Sequence, residues 1–153
     1  MKIGIISDTH NHLDPQIAGI FSDVSHILHA GDVGMPWILL ELEQIAPVTA
    51  VLGNTDAGIT LRETEVRELN NRTILIQHIV DPANPSEQLQ KRVLKLQPDI
   101  VVFGHTHRVF LQSIDGTLFF NPGYAGKPRF AQPRSVAVLH VGEKDLTPEI
   151  IPL

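Results

Sequence analysis

The chain contains no cysteine, which excludes disulfides, zinc–thiolate sites and thiol nucleophiles and suits a reducing compartment. Aromatic residues are sparse at 5%, with one Trp and one Tyr, so a core must be built from aliphatic side chains. Cations are in the minority, 12 Lys and Arg against 17 Asp and Glu for a formal net charge of −5, and they are scattered along the chain. That is poor material for gripping a nucleic-acid backbone, where binding rests on neutralising many phosphates. No apolar run approaches the roughly 20 residues that a membrane span needs. The stretch Met1 to Asp8 turns polar too soon for a signal peptide. These absences predict a cytoplasmic protein that engages neither membranes nor long nucleic acids. No repeat, low-complexity tract or linker divides the chain. At 153 residues the expectation is one domain, 1–153, burying roughly 68–70% of its unfolded surface without staples.

What is plentiful is histidine. The chain has eight, and His is both the commonest metal ligand and the commonest acid–base group. Their setting emerges from the hydrophobic pattern. Lys2 to Ser7 reads as a buried strand, and Asp14-Pro15 as the cap of a helix with Leu13, Ile17, Ile20 and Phe21 on one face. His26 to Ala30 is a second strand, a helix follows Pro36, and Val48 to Leu52 is a third strand. Beyond a loop around Gly58 come a strand over Thr73 to Gln77, a helix capped by Ser86 and a strand over Asp99 to Phe103. Val109 to Ile114 and Thr117 to Phe120 flank Asp115-Gly116, a strong hairpin signal. Arg134 to Val141 and Thr147 to Ile151 supply two more strands. An alternating α/β first half joined to an antiparallel second half predicts two sheets packed face to face, with helices outside.

Five of these strands end in residues of metal-binding type: Asp8-Thr9-His10, Gly31-Asp32, Gly53-Asn54, His78, and Gly104-His105-Thr106-His107. In open α/β sheets, ligands gather outside the carboxyl ends of the strands. The glycines before Asp32, Asn54 and His105 are expected to permit sharp turns there. Mixed imidazole, carboxylate and carboxamide donors suit Mn²⁺, Fe²⁺, Zn²⁺, Co²⁺ or Ni²⁺ better than Ca²⁺. Seven candidates are too many for one tetrahedral ion and about right for two ions sharing a carboxylate, ~3.5–4 Å apart. Taken singly, Asp8 and His10 could be a strand-end cap, Asp32 and Asn54 turn formers, and His78 a core histidine. Those bland readings require five coincidences at five strand ends.

In this order, the motifs resemble those of the calcineurin-like metallophosphoesterases. Asn121-Pro122-Gly123 after the hairpin, Asp56 in Gly-Asn-Thr-Asp and the short length point to the small phosphodiesterase branch, which includes bacterial and archaeal phosphodiesterases and the Vps29-like proteins. The resemblance implies an α/β fold of four layers (αββα), two packed mixed β-sheets flanked by helices. It also implies two divalent ions, Mn²⁺ foremost, with Fe²⁺, Zn²⁺, Ni²⁺ or Co²⁺ as alternatives. Asp8, His10, Asp32 and His107 would hold the first ion. Asp32, Asn54, His78 and His105 would hold the second. Asp32, Asn54 and His105 would serve catalysis through metal and phosphate positioning. Asp56 would either orient a ligand such as His10 or His105 or stabilise its turn.

The implied activity is hydrolysis of a small phosphodiester, a nucleotide among the candidates, by a metal-bridging hydroxide. A phosphomonoesterase and a Vps29-like protein-binding scaffold are the alternatives, and a homo-oligomer is compatible with either. Departures from the family pattern bear on substrate. Thr55 stands where relatives carry a His that can protonate the leaving group, Ile79-Val80 where many continue Gly-His, and Tyr124 where Ser is usual. Tyr124 either stacks on a nucleobase or caps its turn, the second being favoured. His29 is expected in the core or behind the ligands. His12 and Trp37 are expected in a solvated loop and in the core or an interface, and His26 and His140 have no assigned role. Lys127, Arg129 and Arg134 are candidates for phosphate contact, with solvation as the default.

Overall fold

The central strands carry apolar side chains on both faces, and each face packs against a different layer. In the computed structural model, which describes Met1–Leu153, the order is β1 (Lys2–Ile6), α1 (Ile17–Ile20), β2 (His26–His29), α2 (Trp37–Glu43), β3 (Val48–Ala50), β4 (Thr64–Leu69), β5 (Arg72–Gln77), α3 (Glu87–Leu96), β6 (Ile100–Val102), β7 (Val109–Ile114), β8 (Thr117–Pro122), β9 (Ser135–Val141) and β10 (Leu146–Pro152). One sheet has the order β10-β9-β1-β2-β3 and the other β4-β5-β6-β8-β7. Both are mixed: β1, β2 and β3 are parallel, as are β5, β6 and β8, and the outer strands β9, β10, β4 and β7 pair antiparallel.

Successive side chains on a strand point to opposite faces, and three apolar layers follow from that. Ile3, Ile5, Ile74, Ile76, Ile100, Val102, Ala137 and Leu139 meet between the sheets. Ile6, Ile27, Val136 and Val138 face outward onto Ile17, Phe21, Ile38 and Leu42. Leu75, Val101, Phe103 and Phe119 pack on Leu89, with Val93 and Leu96 of α3 alongside. Phe21 lies flat over Gly4, where a Cβ would be 3.1 Å from its ring. The result is two sheets between thin helical layers, the four-layer arrangement. Ser86 caps α3 by accepting from the Leu89 N–H at 3.2 Å. Asp115 and Gly116 turn the β7–β8 hairpin with φ of 49° and 84°, the conformation a two-residue turn demands.

Three expectations need correction. The second half is not purely antiparallel, because β8 runs parallel to β6, while β9 and β10 return to flank β1. The strand β4 was unforeseen. It pairs with β5 through Asn70-Asn71, both left-handed. Its half-buried face is Glu65, Arg67 and Leu69 while Val66 is exposed, so polarity alternates against the usual sense. The segment after Asp14-Pro15 makes only the single turn Ile17–Ile20. Asp14 caps no longer helix; its carboxylate accepts from the Gln16 N–H and binds Arg134 at 2.7 Å. No helix is long and apolar enough to cross a membrane.

Candidate metal centre

Parallel strands place their carboxyl ends at one edge of each sheet, and the loops leaving β1, β2, β3, β5 and β6 meet there. They bring Asp8, His10, Asp32, Asn54, His78, His105 and His107 together. His107 Nε2 lies 3.3 Å from Asp8 Oδ1 and 3.2 Å from His10 Nε2. His10 Nε2 is 3.9 Å from Asp8 Oδ1 and 3.7 Å from Asp32 Oδ2. On the other side, His78 Nε2 is 3.3 Å from Asp32 Oδ2 and 3.0 Å from Asn54 Oδ1, which is 2.9 Å from His105 Nδ1. Ligand atoms thus converge in two overlapping groups: Asp8, His10 and His107, and Asp8, Asp32 and His78.

Convergence demands an unusual backbone. Asp8, His10, Asp32, His105 and His107 all adopt left-handed conformations, with φ from 45° to 68°. Such conformations are uncommon outside glycine and cluster at functional sites. The glycines act differently from the expected sharp turns. Of Gly31, Gly53 and Gly104, only Gly31 has positive φ, at 95°. A Cβ at Gly53 would run into the Asp32 backbone and carboxylate, and one at Gly104 into the Ser7 hydroxyl and Asp8. Their service is close approach to the ligands.

The surroundings fit a bound cation. Asp8 is fully buried, and its Oδ2 accepts from the Ser7 hydroxyl at 2.6 Å and the His105 N–H at 3.1 Å. Its Oδ1 is buried with no hydrogen-bond partner, and burial, opposed by the Ser7 bond, pushes its pKa up to about 7. A buried carboxylate oxygen without a donor is costly unless a cation sits against it. At His78, Nδ1 is 2.7 Å from the Ala30 carbonyl. A carbonyl only accepts, so Nδ1 carries the proton and Nε2 presents a lone pair toward Asp32 and Asn54, the tautomer of a metal-ligating histidine. Loss of solvation holds His10 and His107 below the ordinary imidazole range, keeping their lone pairs free. Burial would raise Asp32, but the Thr55 N–H at 2.9 Å, with His78 and His10 nearby, holds it below the usual carboxylate value.

Behind the ligands, Asp56 does not touch His10 or His105. Its two oxygens accept from the Gly34 and Gly53 N–H groups, each at 2.8 Å, and so tie the Asp32 loop to the Asn54 loop. Ser7, unremarked in the sequence reading, holds Asp8. Its only sequence signal is its place beside Asp8 at a strand end. His29 is buried in the core. Its Nδ1 accepts from the Gly31 N–H, so Nε2 donates to Thr9 Oγ1, which donates to the Val33 carbonyl. Burial lowers its pKa to about 3.

Tyr124 is fully buried, which leaves no face for a nucleobase. Its ring stacks on His107 at 4.6 Å, and its hydroxyl donates to the Lys127 carbonyl. Arg134 is occupied by Asp14 and the Gly126 carbonyl. Arg129 is exposed, with its guanidinium 5.3 Å from the Tyr124 ring centroid. Trp37 is 42% exposed and donates to Asn11 Oδ1. His26 bonds Thr49, and His140 faces Glu149.

Known proteins resemble this chain in sequence and fold. A probable metallophosphoesterase of Methanothermobacter thermautotrophicus is 39% identical over 159 residues, covering 99% of this chain and 92% of its own. The solved structure of an archaeal phosphodiesterase has a TM-score of 0.77 at 26% identity, covering 99% of this chain and 100% of its own. Vps29 of Entamoeba histolytica, solved in complex with Zn²⁺, has a TM-score of 0.76 at 24% identity and covers 99% of both chains. That last likeness speaks to the fold alone. The sequence pattern of the calcineurin-like phosphoesterase superfamily domain matches residues 1–144, and the chain belongs to that family.

Proposed function

We propose that this protein is a phosphodiesterase that hydrolyses a small phosphodiester at a centre of two divalent ions. Asp8, His10, Asp32 and His107 hold one ion, and Asp32, Asn54, His78 and His105 hold the other. The observation that carries this reading is Asp8 Oδ1, buried without a donor and facing the Nε2 atoms of His107 and His10. When bound, the ions supply Lewis acidity toward phosphoryl oxygens and lower the pKa of water from 15.7 towards about 7.

The chain's own residues supply charge balance and orientation. Two carboxylates among otherwise neutral ligands leave a doubly loaded site positive, which attracts an anionic ester to an acidic protein. Ser7 and the His105 N–H fix Asp8, the Ala30 carbonyl fixes the His78 tautomer, and Asp56 locks two ligand loops together. Arg129 adds positive potential at His10 and His107. Thr55 carries no readily dissociated proton, so a general acid worth typically ~10²–10⁴-fold is lacking at that position, and Ile79-Val80 put an apolar wall where a phosphate-binding imidazole would stand. Modest turnover and weakly basic leaving groups are therefore expected. The missing acid also favours a second reading, a protein-binding scaffold of the Vps29 kind. The lack of cysteine supports a cytoplasmic setting.

The test is hydrolysis of bis-p-nitrophenyl phosphate against p-nitrophenyl phosphate with Mn²⁺, Ni²⁺, Zn²⁺ or chelator. The expected result is metal-dependent cleavage that favours the diester and disappears in Asp32→Ala. Preference for the monoester would make the protein a phosphomonoesterase. Cleavage of neither ester by the metal-loaded protein would promote the scaffold.

A further inference from the structure

Two clefts leave the metal centre on either side of Ile79. One, reached from Asn54 and His78, encloses about 240 Å³ and is polar, with Thr64, Gln77, Gln88 and Arg92 on its walls. The other starts at His105 and Thr106, runs as an open groove between the 79–83 segment and β7, and holds about 800 Å³. Its lining is mixed: Val80, Phe103, Val109 and Phe110 form an apolar strip, with the two phenyl rings 5.8 Å apart, and Asp81, Arg108 and Gln112 edge it. Ile79 at 51% and Val109 at 47% exposure leave apolar surface uncovered beside a centre otherwise built from polar groups.

We infer that the second cleft is the subsite for an aryl ester arm, so that the preferred substrate is an asymmetric phosphodiester with one ring-bearing substituent. This rests on the phosphodiesterase reading and narrows it. Three observations agree. The cleft is continuous with the centre through His105, so an ester held at the ligands extends directly into it. Its volume lies in the range of a small-molecule site, and its apolar strip offers a ring a face to pack on. Independently, Thr55 stands where a leaving-group acid is expected and carries no readily dissociated proton. In hydrolysis the oxygen of water bonds to phosphorus and gives up a proton to solvent, the aryl ester P–O bond breaks, and its electron pair departs on the aryl oxygen. An aryloxide is weakly basic and collects its proton from solvent afterwards, whereas an alkoxide needs a donor at the moment of cleavage.

The test uses the Mn²⁺-loaded protein and two stable probes, phenylphosphonate and methylphosphonate. Their affinities are measured by calorimetry and checked by competition against bis-p-nitrophenyl phosphate hydrolysis. Burying a phenyl group predicts at least ~10-fold tighter binding of phenylphosphonate. In Val109→Asp and Phe110→Ala that ratio falls towards one, and in Arg92→Ala, on the opposite cleft, it stays. Equal affinities in the wild type, with metal-dependent diester cleavage intact, overturn the aryl subsite alone. An unchanged ratio in both cleft variants does the same. Absence of metal-dependent cleavage together with absence of phosphonate binding overturns the underlying phosphodiesterase reading, and the subsite falls with it.

Discussion

Asp8 combines two unfavourable circumstances, a left-handed backbone at φ 56° and a buried carboxylate oxygen with no donor. Burial raises its pKa from 3.8 to about 7. A carboxyl raised in this way contributes stability below its unfolded value that is withdrawn as pH climbs through the folded one. Chelator-treated protein should therefore lose stability between pH 4 and 7, by about 4 kcal/mol if Asp8 acts alone. Urea denaturation should show that slope removed in Asp8→Asn and offset in wild type by added Mn²⁺. A flat profile for the stripped wild type would contradict the role given to Asp8.

Asp56 permits a second test at this scale. Asp56→Ala strands the Gly34 and Gly53 N–H groups, which costs about 1–3 kcal/mol. Metal affinity should also weaken ~10–100-fold, as supporting carboxylates behind ligands typically do; calorimetry checks both. The convergence of the seven candidate residues was readable from sequence because each stands at the end of an apolar strand. The roles of Ser7 and Asp56 were not, since they depend on which loops become neighbours. The left-handed backbone of Asp8, His10, Asp32, His105 and His107 has only a weak sequence signature, the enrichment of Asp and His among non-glycine residues at positive φ.

Elements were legible where a local chemical signal marks them. Ser86 before α3 and Asp115-Gly116 between β7 and β8 are signals of that kind. β4 escaped because its half-buried face is Glu65, Arg67 and Leu69, a pattern that makes sense only beside β5. The return of β9 to β1 was equally hidden, because nothing local in Ser135–Val141 names its partner strand. One long-range tie can be tested directly. Arg134 holds Asp14 with side-chain exposures of 9% and 10%, joining the α1 turn to the start of β9. Desolvation would raise Asp14, but hydrogen bonds from the Gln16 N–H and Arg134 outweigh it and hold its pKa below 3.8. A depressed carboxylate contributes stability above its unfolded value that is lost as pH falls through the folded one. Asp14→Asn should cost about 2 kcal/mol at pH 7 and flatten the acid limb below pH 4. Urea midpoints from pH 2 to 7 measure this; an unchanged acid limb would assign the tie no net stability.

For the whole molecule, the sandwich brings the carboxyl ends of β1, β2 and β3 from one sheet beside those of β5 and β6 from the other. No single sheet supplies the whole proposed ligand set: Asp8, His10, Asp32 and Asn54 follow strands of the first, and His78, His105 and His107 strands of the second. The layer between the sheets, packed by Ile3, Ile5, Ile74, Ile76, Ile100 and Val102, therefore holds the two halves of the centre in register. Metal binding and folding should consequently stabilise each other. The most direct measurement is calorimetric titration of chelator-stripped protein with Mn²⁺, with bound metal counted by elemental analysis. The two-ion centre predicts two equivalents per chain in the wild type and no more than one in Asp32→Ala. A single equivalent or none in the wild type, with Asp32→Ala indistinguishable from it, would contradict the account.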